Sequence, residues 1–280
     1  MTNNIIITGA SGFLGSNFLN KILKNNSNTE IISITNNSLQ EDERILNLNI
    51  SDAENVIKNN YDKYDVLHFA TFYSKDIKDN NNIYNANIEF GNKLLGSLNS
   101  DHINRFIYTN TMFVFDSEQD NHYYTKTKKE FSETLKQYFL DRPNVYSQIY
   151  LDNSFGENDK RNKVVSQIIK AVVKNDINPV QNKQAFINLI YIADVVNCII
   201  EEIKNNNDIE TRITSKYDVN ISSIYDFLIK FSKEQIIDNE LLKVIESKQL
   251  HSKNLPIVNK NLRETNIYSN LIQVFEGQLY

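Results

Sequence analysis

Short apolar segments alternate with amphipathic helical patterns through the first half of the chain, and no other feature of the 280 residues restricts the fold as strongly. The predicted strands cover 5–7, 30–34, 45–48, 66–70, 105–108 and 145–151, and the predicted helices follow residue 15 and cover 52–57, 83–98 and 124–139. Strands separated by helices in this way indicate right-handed βαβ units and a parallel sheet that is covered on both faces.

Beyond residue 151 the regular alternation ends. A helix over 164–173, a strand over 185–191 and helices near 194–203 and 224–231 predict a smaller, partly helical lobe. We therefore expect an α/β fold, in which a Rossmann-type doubly wound parallel sheet is joined to a smaller, mixed α/β C-terminal lobe.

The composition argues against several other classes of protein. Acidic residues number 35 and basic residues 30, which gives a formal net charge of −5, and no basic stripe points to a nucleic acid or an anionic membrane. No apolar run approaches the roughly 18 residues that span a bilayer. The four histidines and the single cysteine lack the spacing of a metal-ligand set. We expect a cytoplasmic protein with no metal, nucleic acid or membrane partner.

Three glycines follow the first predicted strand and precede the first predicted helix. Gly9, Gly12 and Gly15 stand three residues apart in Thr-Gly-Ala-Ser-Gly-Phe-Leu-Gly. Glycines in this context permit a tight turn and a close approach of backbone to pyrophosphate, and the helix N-terminus supplies N–H donors. The turn predicts a dinucleotide site.

The end of the second predicted strand bears on which dinucleotide binds. Thr35, Asn36 and Asn37 include no carboxylate that could hold a ribose 2′-hydroxyl, and they include no arginine for a 2′-phosphate. Because a carboxylate there would repel a 2′-phosphate, its absence tilts the prediction slightly from NAD(H) toward NADP(H).

A tyrosine and a lysine four residues apart predict the catalytic chemistry. Tyr124 and Lys128 share one face of a predicted helix. A nearby ammonium favours the phenolate of a tyrosine, whose ordinary pKa is about 10, and so makes it a usable proton donor and acceptor. Thr111 follows the fifth strand at the edge where parallel sheets bind ligands, and its hydroxyl can bond a substrate carbonyl oxygen.

Together these motifs resemble those of the extended short-chain dehydrogenase/reductases of the NAD-dependent epimerase/dehydratase family, over most of the chain. The family's glycine motif corresponds to residues 8–15, its Tyr-x-x-x-Lys pair to Tyr124 and Lys128, and its active-site hydroxyl to Thr111. Within the family, residues 70–73 and 162–163 are similar to segments of the nucleotide-sugar 4-ketoreductases typified by CDP-abequose and CDP-paratose synthases.

The resemblance implies a complete set of site residues. The catalytic residues would be Thr111, Tyr124 and Lys128. The cofactor-binding residues would be Gly9, Ser11, Gly12, Phe13, Leu14, Gly15, Thr35, Asn36, Asn49, Ile50, Phe69, Ala70, Thr71, Asn87, Tyr124 and Lys128. The substrate-binding residues would be Phe72, Tyr73, Thr111, Met112, Asn153, Asn162, Lys163 and Val164. The implied dinucleotide-binding domain is 1–153 plus 185–204, the substrate-binding lobe is 154–184 plus 205–280, and the implied assembly is a homodimer.

Two positions depart from the family pattern. Ile187 stands where the family commonly has an arginine that clamps the substrate diphosphate, and Tyr150 replaces a second family arginine. Lys160, Arg161 and Lys163 could compensate for the lost charge, although not with the same bidentate geometry.

The resemblance implies hydride transfer from a reduced nicotinamide to C4 of a nucleotide-linked 4-keto deoxy sugar, a hexose or heptose destined for a surface polysaccharide. A nucleotide-sugar 4-epimerase with tightly bound NAD is the first alternative. A non-catalytic dinucleotide-sensing protein is the second, and the presence of both Tyr124 and Lys128 argues against it.

Overall fold

The computed structural model describes residues 4–25, 28–35, 37, 39, 41–174, 176, 182, 184–204, 209–237, 241–245, 247–249, 258–261 and 266–278. The chain divides into two compact units, Met1–Leu151 with Ile199–Arg212 and Asp152–Cys198 with Ile213–Tyr280. Compared with the predicted division, residues 152–153 and 185–198 fall in the second unit and residues 205–212 in the first.

The strands and helices alternate along the chain much as the sequence predicts. The strands are β1 (Asn4–Thr8), β2 (Glu30–Ile34), β3 (Ile45–Leu48), β4 (Tyr64–His68), β5 (Ile103–Thr111), β6 (Tyr146–Leu151), β7 (Asn153–Phe155), β8 (Phe186–Tyr191), β9 (Glu210–Thr214), β10 (Tyr217–Asn220), β11 (Ser247–Gln249) and β12 (Val258–Asn261). The helices are α1 (Phe13–Lys24), α2 (Ile50–Asn60), α3 (Asn80–Tyr84), α4 (Phe90–Ser97), α5 (Tyr123–Tyr138), α6 (Val164–Val173), α7 (Ile192–Lys204), α8 (Ile221–Glu234) and α9 (Ile267–Glu276).

The first unit is built on a sheet whose strands lie in the order β3-β2-β1-β4-β5-β6-β9. Every pair from β3 to β6 is parallel. The isoleucines of β1 are wholly buried, as a strand covered on both faces requires. The predicted Rossmann-type sheet is therefore confirmed.

The helix predicted over 83–98 is divided into three segments. A π-helical turn, Asn85–Glu89, joins α3 to α4. Just beyond it, a Cβ on Gly91 would lie 2.4 Å from the ring of the buried Phe131 on α5, so a larger residue would require that ring to move. Such turns insert one extra residue into a helix and are frequent at functional sites.

The second unit has its own mixed sheet, in the order β11-β10-β8-β7. Strand β7 runs parallel to β8, whereas β10 is antiparallel to both β8 and β11. Apolar residues of α6, α8 and α9 form a separate core beside it, which includes Ile168, Ile224 and Phe227. The smaller mixed α/β lobe is thus also confirmed. Among the described helices, none is long and apolar enough to cross a membrane.

Candidate active site

The three glycines form a turn of bare backbone between β1 and α1. Gly9 has φ +70°, and the N–H of Gly12 donates to its carbonyl at 2.9 Å. A Cβ on Gly9 would lie 2.6 Å from the backbone nitrogen of Ala70, and one on Gly15 would lie 2.2 Å from the Gly9 oxygen. Neither position has room for a side chain.

This turn fits the pyrophosphate of a dinucleotide. Helix α1 begins at Phe13, directly after the turn, with no acidic residue in its first turn and no side-chain cap on its N-terminus. The N–H groups of a first helical turn have no carbonyl partner within their helix, and they attract an anion. Ser11, Gly12, Phe13 and Leu14 therefore lie where the sequence predicts phosphate contacts.

The ends of β2 and β3 lie beside the glycine turn. The side-chain amide of Asn37 donates to the Ser11 hydroxyl at 2.9 Å, and the Asn37 N–H donates to the Thr35 hydroxyl at 3.1 Å. The Thr35 N–H in turn donates to the Leu48 carbonyl. Asn49 follows Leu48 as the N-cap of α2, and Ile50 is the first residue of that helix. Asn36 lies outside the described residues.

A buried histidine supports the turn from beneath. The hydroxyl of Thr8 and Nδ1 of His68 are hydrogen-bonded at 2.7 Å, and the same hydroxyl accepts the N–H of Ala70 at 3.2 Å. The Phe69 N–H donates to the Thr8 carbonyl. Burial, followed by the charge of Lys128, lowers the pKa of His68 to about 3, so this imidazole is neutral at physiological pH.

Asn87 connects the segment after β4 to helix α5. Its side-chain oxygen accepts the Thr71 hydroxyl at 2.9 Å and the Phe72 N–H at 2.8 Å. Its amide group donates to the Phe72 carbonyl and, at 3.1 Å, to the hydroxyl of Thr127. Asn87 is 2% exposed. Four hydrogen bonds from one buried side chain fix the predicted substrate-side segment against the helix that carries Tyr124.

Thr111 is the last residue of β5, and hydrogen bonds fix both its backbone and its side chain. Its N–H donates to the Asn110 side-chain oxygen at 2.8 Å, and its hydroxyl accepts the Phe113 N–H at 3.3 Å. A hydroxyl that accepts one bond still has its own proton to donate. Met112 begins the short 3₁₀ turn that follows.

Tyr124 and Lys128 are both buried on α5. The Lys128 ammonium donates to the Thr109 carbonyl at 2.7 Å, two residues before Thr111. Burial lowers the pKa of Lys128 to about 7. The ring of Tyr73 meets the ring of Tyr124 edge to face at 4.9 Å between centroids, and it stacks on His122 at 6.2 Å. The structure thus brings Tyr73, Tyr124, Lys128 and Thr111 to neighbouring positions of the first unit.

The remaining predicted substrate residues belong to the second unit. The Asn153 amide donates to the Asn188 carbonyl at 3.2 Å. Asn162 is exposed, Lys163 caps α6, and Val164 packs against the second unit's apolar core, as does Ile187. Arg161 donates to both oxygens of Asp159, at 2.7 and 2.8 Å, and the compensating role of its charge stays a prediction.

Several supporting residues were missed from the sequence. Asn110, Ser132 and His122 lie next to the predicted residues, yet none belongs to a motif by itself. Within the described ranges, no cluster of three or more histidine, cysteine or acidic residues could hold a metal ion.

The sheet topology, the glycine turn and the Tyr-x-x-x-Lys helix define a Rossmann-type protein of the extended short-chain dehydrogenase/reductase class. Residues 5–221 match the model of the NAD dependent epimerase/dehydratase family, and the chain belongs to that family.

The curated relatives share less than a quarter of their aligned residues with this chain. The chain is 24% identical to a CDP-abequose synthase of Salmonella muenchen over 247 residues, which cover 82% of this chain and 81% of the relative. It is 23% identical to a CDP-abequose synthase of Yersinia pseudotuberculosis, with 79% and 78% covered.

Solved structures confirm the fold. A UDP-N-acetylglucosamine 4-epimerase from Methanobrevibacter ruminantium M1, in complex with UDP-N-acetylmuramic acid, matches with a TM-score of 0.75 at 15% identity, covering 99% of this chain and 98% of the other. A UDP-glucuronic acid 4-epimerase from Bacillus cereus, in complex with NAD, matches with a TM-score of 0.75 at 18% identity, covering 99% and 97%.

Proposed function

We propose that the chain reduces the C4 keto group of a nucleotide-activated deoxy sugar with a reduced nicotinamide dinucleotide. The observation that carries the proposal is the arrangement at the end of β5. Lys128 reaches the Thr109 carbonyl, while Thr111 and Tyr124 present hydroxyls from the same strand end and the same helix. Relatives named CDP-abequose synthase support a nucleotide sugar as substrate.

Each of the three residues has a distinct task. The dinucleotide, when bound, supplies the hydride that becomes the new C–H bond at C4. The Thr111 hydroxyl donates a hydrogen bond to the keto oxygen, and Tyr124 delivers the proton that makes this oxygen a hydroxyl. The ammonium of Lys128 stabilises the phenolate that Tyr124 becomes. Hydride plus proton balance the reduction of one ketone to one alcohol.

The glycine turn, Ser11 and Thr35 would hold the dinucleotide. Lack of a carboxylate at Thr35 and Asn37 supports NADP(H), whereas a family neighbour binds NAD. We retain the slight preference for NADP(H) as a proposal. Comparing the dissociation constants of NADH and NADPH by fluorescence tests it directly.

The reaction is tested by following the near-ultraviolet absorbance of the reduced nicotinamide, which is lost when the dinucleotide is oxidised. Purified protein is mixed with NADPH or NADH and with CDP-, UDP- or dTDP-linked 4-keto deoxy sugars. We expect oxidation of the dinucleotide with at least one of these. Tyr124→Phe should abolish turnover and keep dinucleotide affinity, because only the transferable proton is removed. Tyr123→Phe is the matched control, since Tyr123 precedes the pair and its partner four residues on is Thr127.

A 4-epimerase gives a different result in the same experiment. It would keep oxidised NAD through purification and interconvert two C4 epimers without net consumption. That outcome, or no oxidation with any sugar tested, would overturn the reductase proposal. The cytoplasmic location and the homodimer remain predictions, and sedimentation of the purified chain tests the second.

A further inference from the structure

Lys128 occupies an unusual setting for a charged residue. It is 2% exposed, and its ammonium has one hydrogen bond, to the Thr109 carbonyl. No carboxylate forms an ion pair with it in the described part of the chain. A buried ammonium without a counter-ion is costly, so some other group must offset part of its lost hydration.

The ring of Tyr108 lies directly below this ammonium. Lys128 Nζ is 4.2 Å from the ring centroid, within the range of a cation–π interaction. Tyr108 is 1% exposed, and its hydroxyl has no hydrogen-bond partner among the described residues. Burial raises the pKa of this phenol well above its usual value, so Tyr108 is neutral and offers Lys128 only its ring face.

We infer that the ring face of Tyr108 keeps Lys128 charged and fixed above it, which makes Tyr108 a positioning residue for the reaction proposed above. Tyr108 contacts the ammonium of Lys128 and, in this scheme, acts on the reaction through it. The inference assigns a role to the aromatic ring of Tyr108 and none to its hydroxyl. Its functional consequence rests on the proposed function, but the contact itself does not.

The other groups around Lys128 cannot supply the missing negative charge. From β4, His68 stacks on Tyr108 at 5.6 Å between ring centroids, and its lowered pKa keeps it uncharged. On its own helix, Tyr124 stands four residues before Lys128. From the π-helical turn, the neutral Asn87 donates to Thr127, the residue before Lys128. Together with the Thr109 carbonyl, the ring face of Tyr108 is therefore the group that offsets the charge.

The lysine pKa gives a direct readout. The pKa of Lys128 is already lowered to about 7 by burial. Weakening the ring's negative face should disfavour the ammonium and lower the pKa further. A desolvated cation–π contact corresponds to a shift of about one pH unit.

The experiment uses the whole chain without added dinucleotide, labelled with ε-¹³C lysine. The Lys128 signal is identified by its loss in Lys128→Met. Its titration midpoint is then compared in the wild type, in Tyr108→Phe, and in protein with trifluorophenylalanine at position 108. Phenylalanine keeps the ring face and should leave the midpoint unchanged, whereas fluorination keeps the shape, withdraws the negative face and should lower it by about one pH unit.

Four results separate the possibilities. An equal midpoint in the fluorinated protein overturns the inference, as does a wild-type midpoint near that of a solvated lysine. Because Tyr108→Phe and the fluorinated protein both lack the hydroxyl and differ only in the ring fluorines, their comparison isolates the ring face. A shift without any sugar reduction would support the role of Tyr108 and reject the proposed function. If reduction does occur, the alkaline limb of the rate profile should move to lower pH in the fluorinated protein and stay in place in Tyr108→Phe.

Discussion

The side-chain amide of Asn110 donates to the Ser132 hydroxyl at 2.9 Å and so ties the end of β5 to helix α5. The same side chain accepts the N–H of Thr111, while the Ser132 hydroxyl donates to the Lys128 carbonyl at 2.8 Å. Asn110 therefore links the backbone of one proposed catalytic residue to the helix turn of another. The relative position of Thr111 and Lys128 depends on this link.

Asn110→Ala should lower both stability and turnover. Deleting the side chain leaves buried donors and acceptors without a partner, which costs about 1–3 kcal/mol in the free energy of unfolding. Displacement of Thr111 should reduce kcat by about tenfold or more. Urea unfolding and steady-state rates measure the two effects. Asn104→Ala is the control: it removes a hydrogen bond to Asp65, at 2.7 Å near the start of the same strand, and should change kcat little. A normal kcat in Asn110→Ala would contradict the linking role.

Gly15→Ala should abolish dinucleotide binding. Its Cβ would lie 2.2 Å from the Gly9 oxygen, so the turn must open. Gly96→Ala is a matched control, because a Cβ there meets nothing within 4 Å. In a helix, that control should raise the free energy of unfolding by about 0.5–1 kcal/mol. Fluorescence titration with NADH and urea unfolding test both variants; unimpaired binding in Gly15→Ala would refute the pyrophosphate assignment.

Asn87→Ala should destabilise the protein and disorder the segment after β4. Its loss leaves the Thr71 hydroxyl, the Phe72 backbone and the Thr127 hydroxyl without their shared partner. We expect a cost of at least about 1–3 kcal/mol, together with a higher KM for the sugar. Asn85→Ala alters an exposed residue of the same π-helical turn and should be nearly silent. Equal effects of the two substitutions would argue against the Asn87 network.

His68 should make stability fall in acid. Its pKa is about 3 in the folded protein against 6.5 for the ordinary side chain, so between these values the unfolded chain binds one more proton. Stability is therefore lost as pH falls below 6.5, by about 2–3 kcal/mol between pH 6 and pH 4. Lys128 does not contribute there, because it is protonated in both states below about pH 7. Urea unfolding of wild type and His68→Asn at several pH values should show the smaller pH dependence in the variant; parallel curves would rule this out.

The features that follow from local pattern could be read from the sequence. The sequence predicts helix α6 at its observed bounds, Val164–Val173, because its apolar residues repeat at helical spacing. The glycine turn lies between β1 and α1, as its position after an apolar run indicates. Both depend on residues close together in the chain.

Features that depend on partners distant in the chain could not be predicted from the sequence. The bond from Asn110 to Ser132 spans 22 residues, and nothing in either neighbourhood singles out the pair. The charge of Arg161 is visible in the sequence, whereas its pairing with both oxygens of Asp159 is recognised only from geometry. The short strands β7, β10 and β11 carry too few residues to show a pattern before the sheet is seen.

The π-helical turn at Asn85–Glu89 determines which way the side chains of α4 face around the helix axis. One residue turns a regular α-helix by about 100°. Deleting a single residue from the turn would therefore swing the downstream segment around its axis, and Gly91 would no longer face the ring of Phe131. A larger side chain would then be driven into α5. Length in this short stretch is accordingly under stricter constraint than the chemical identity of its exposed residues, and alignment gaps among relatives should avoid it.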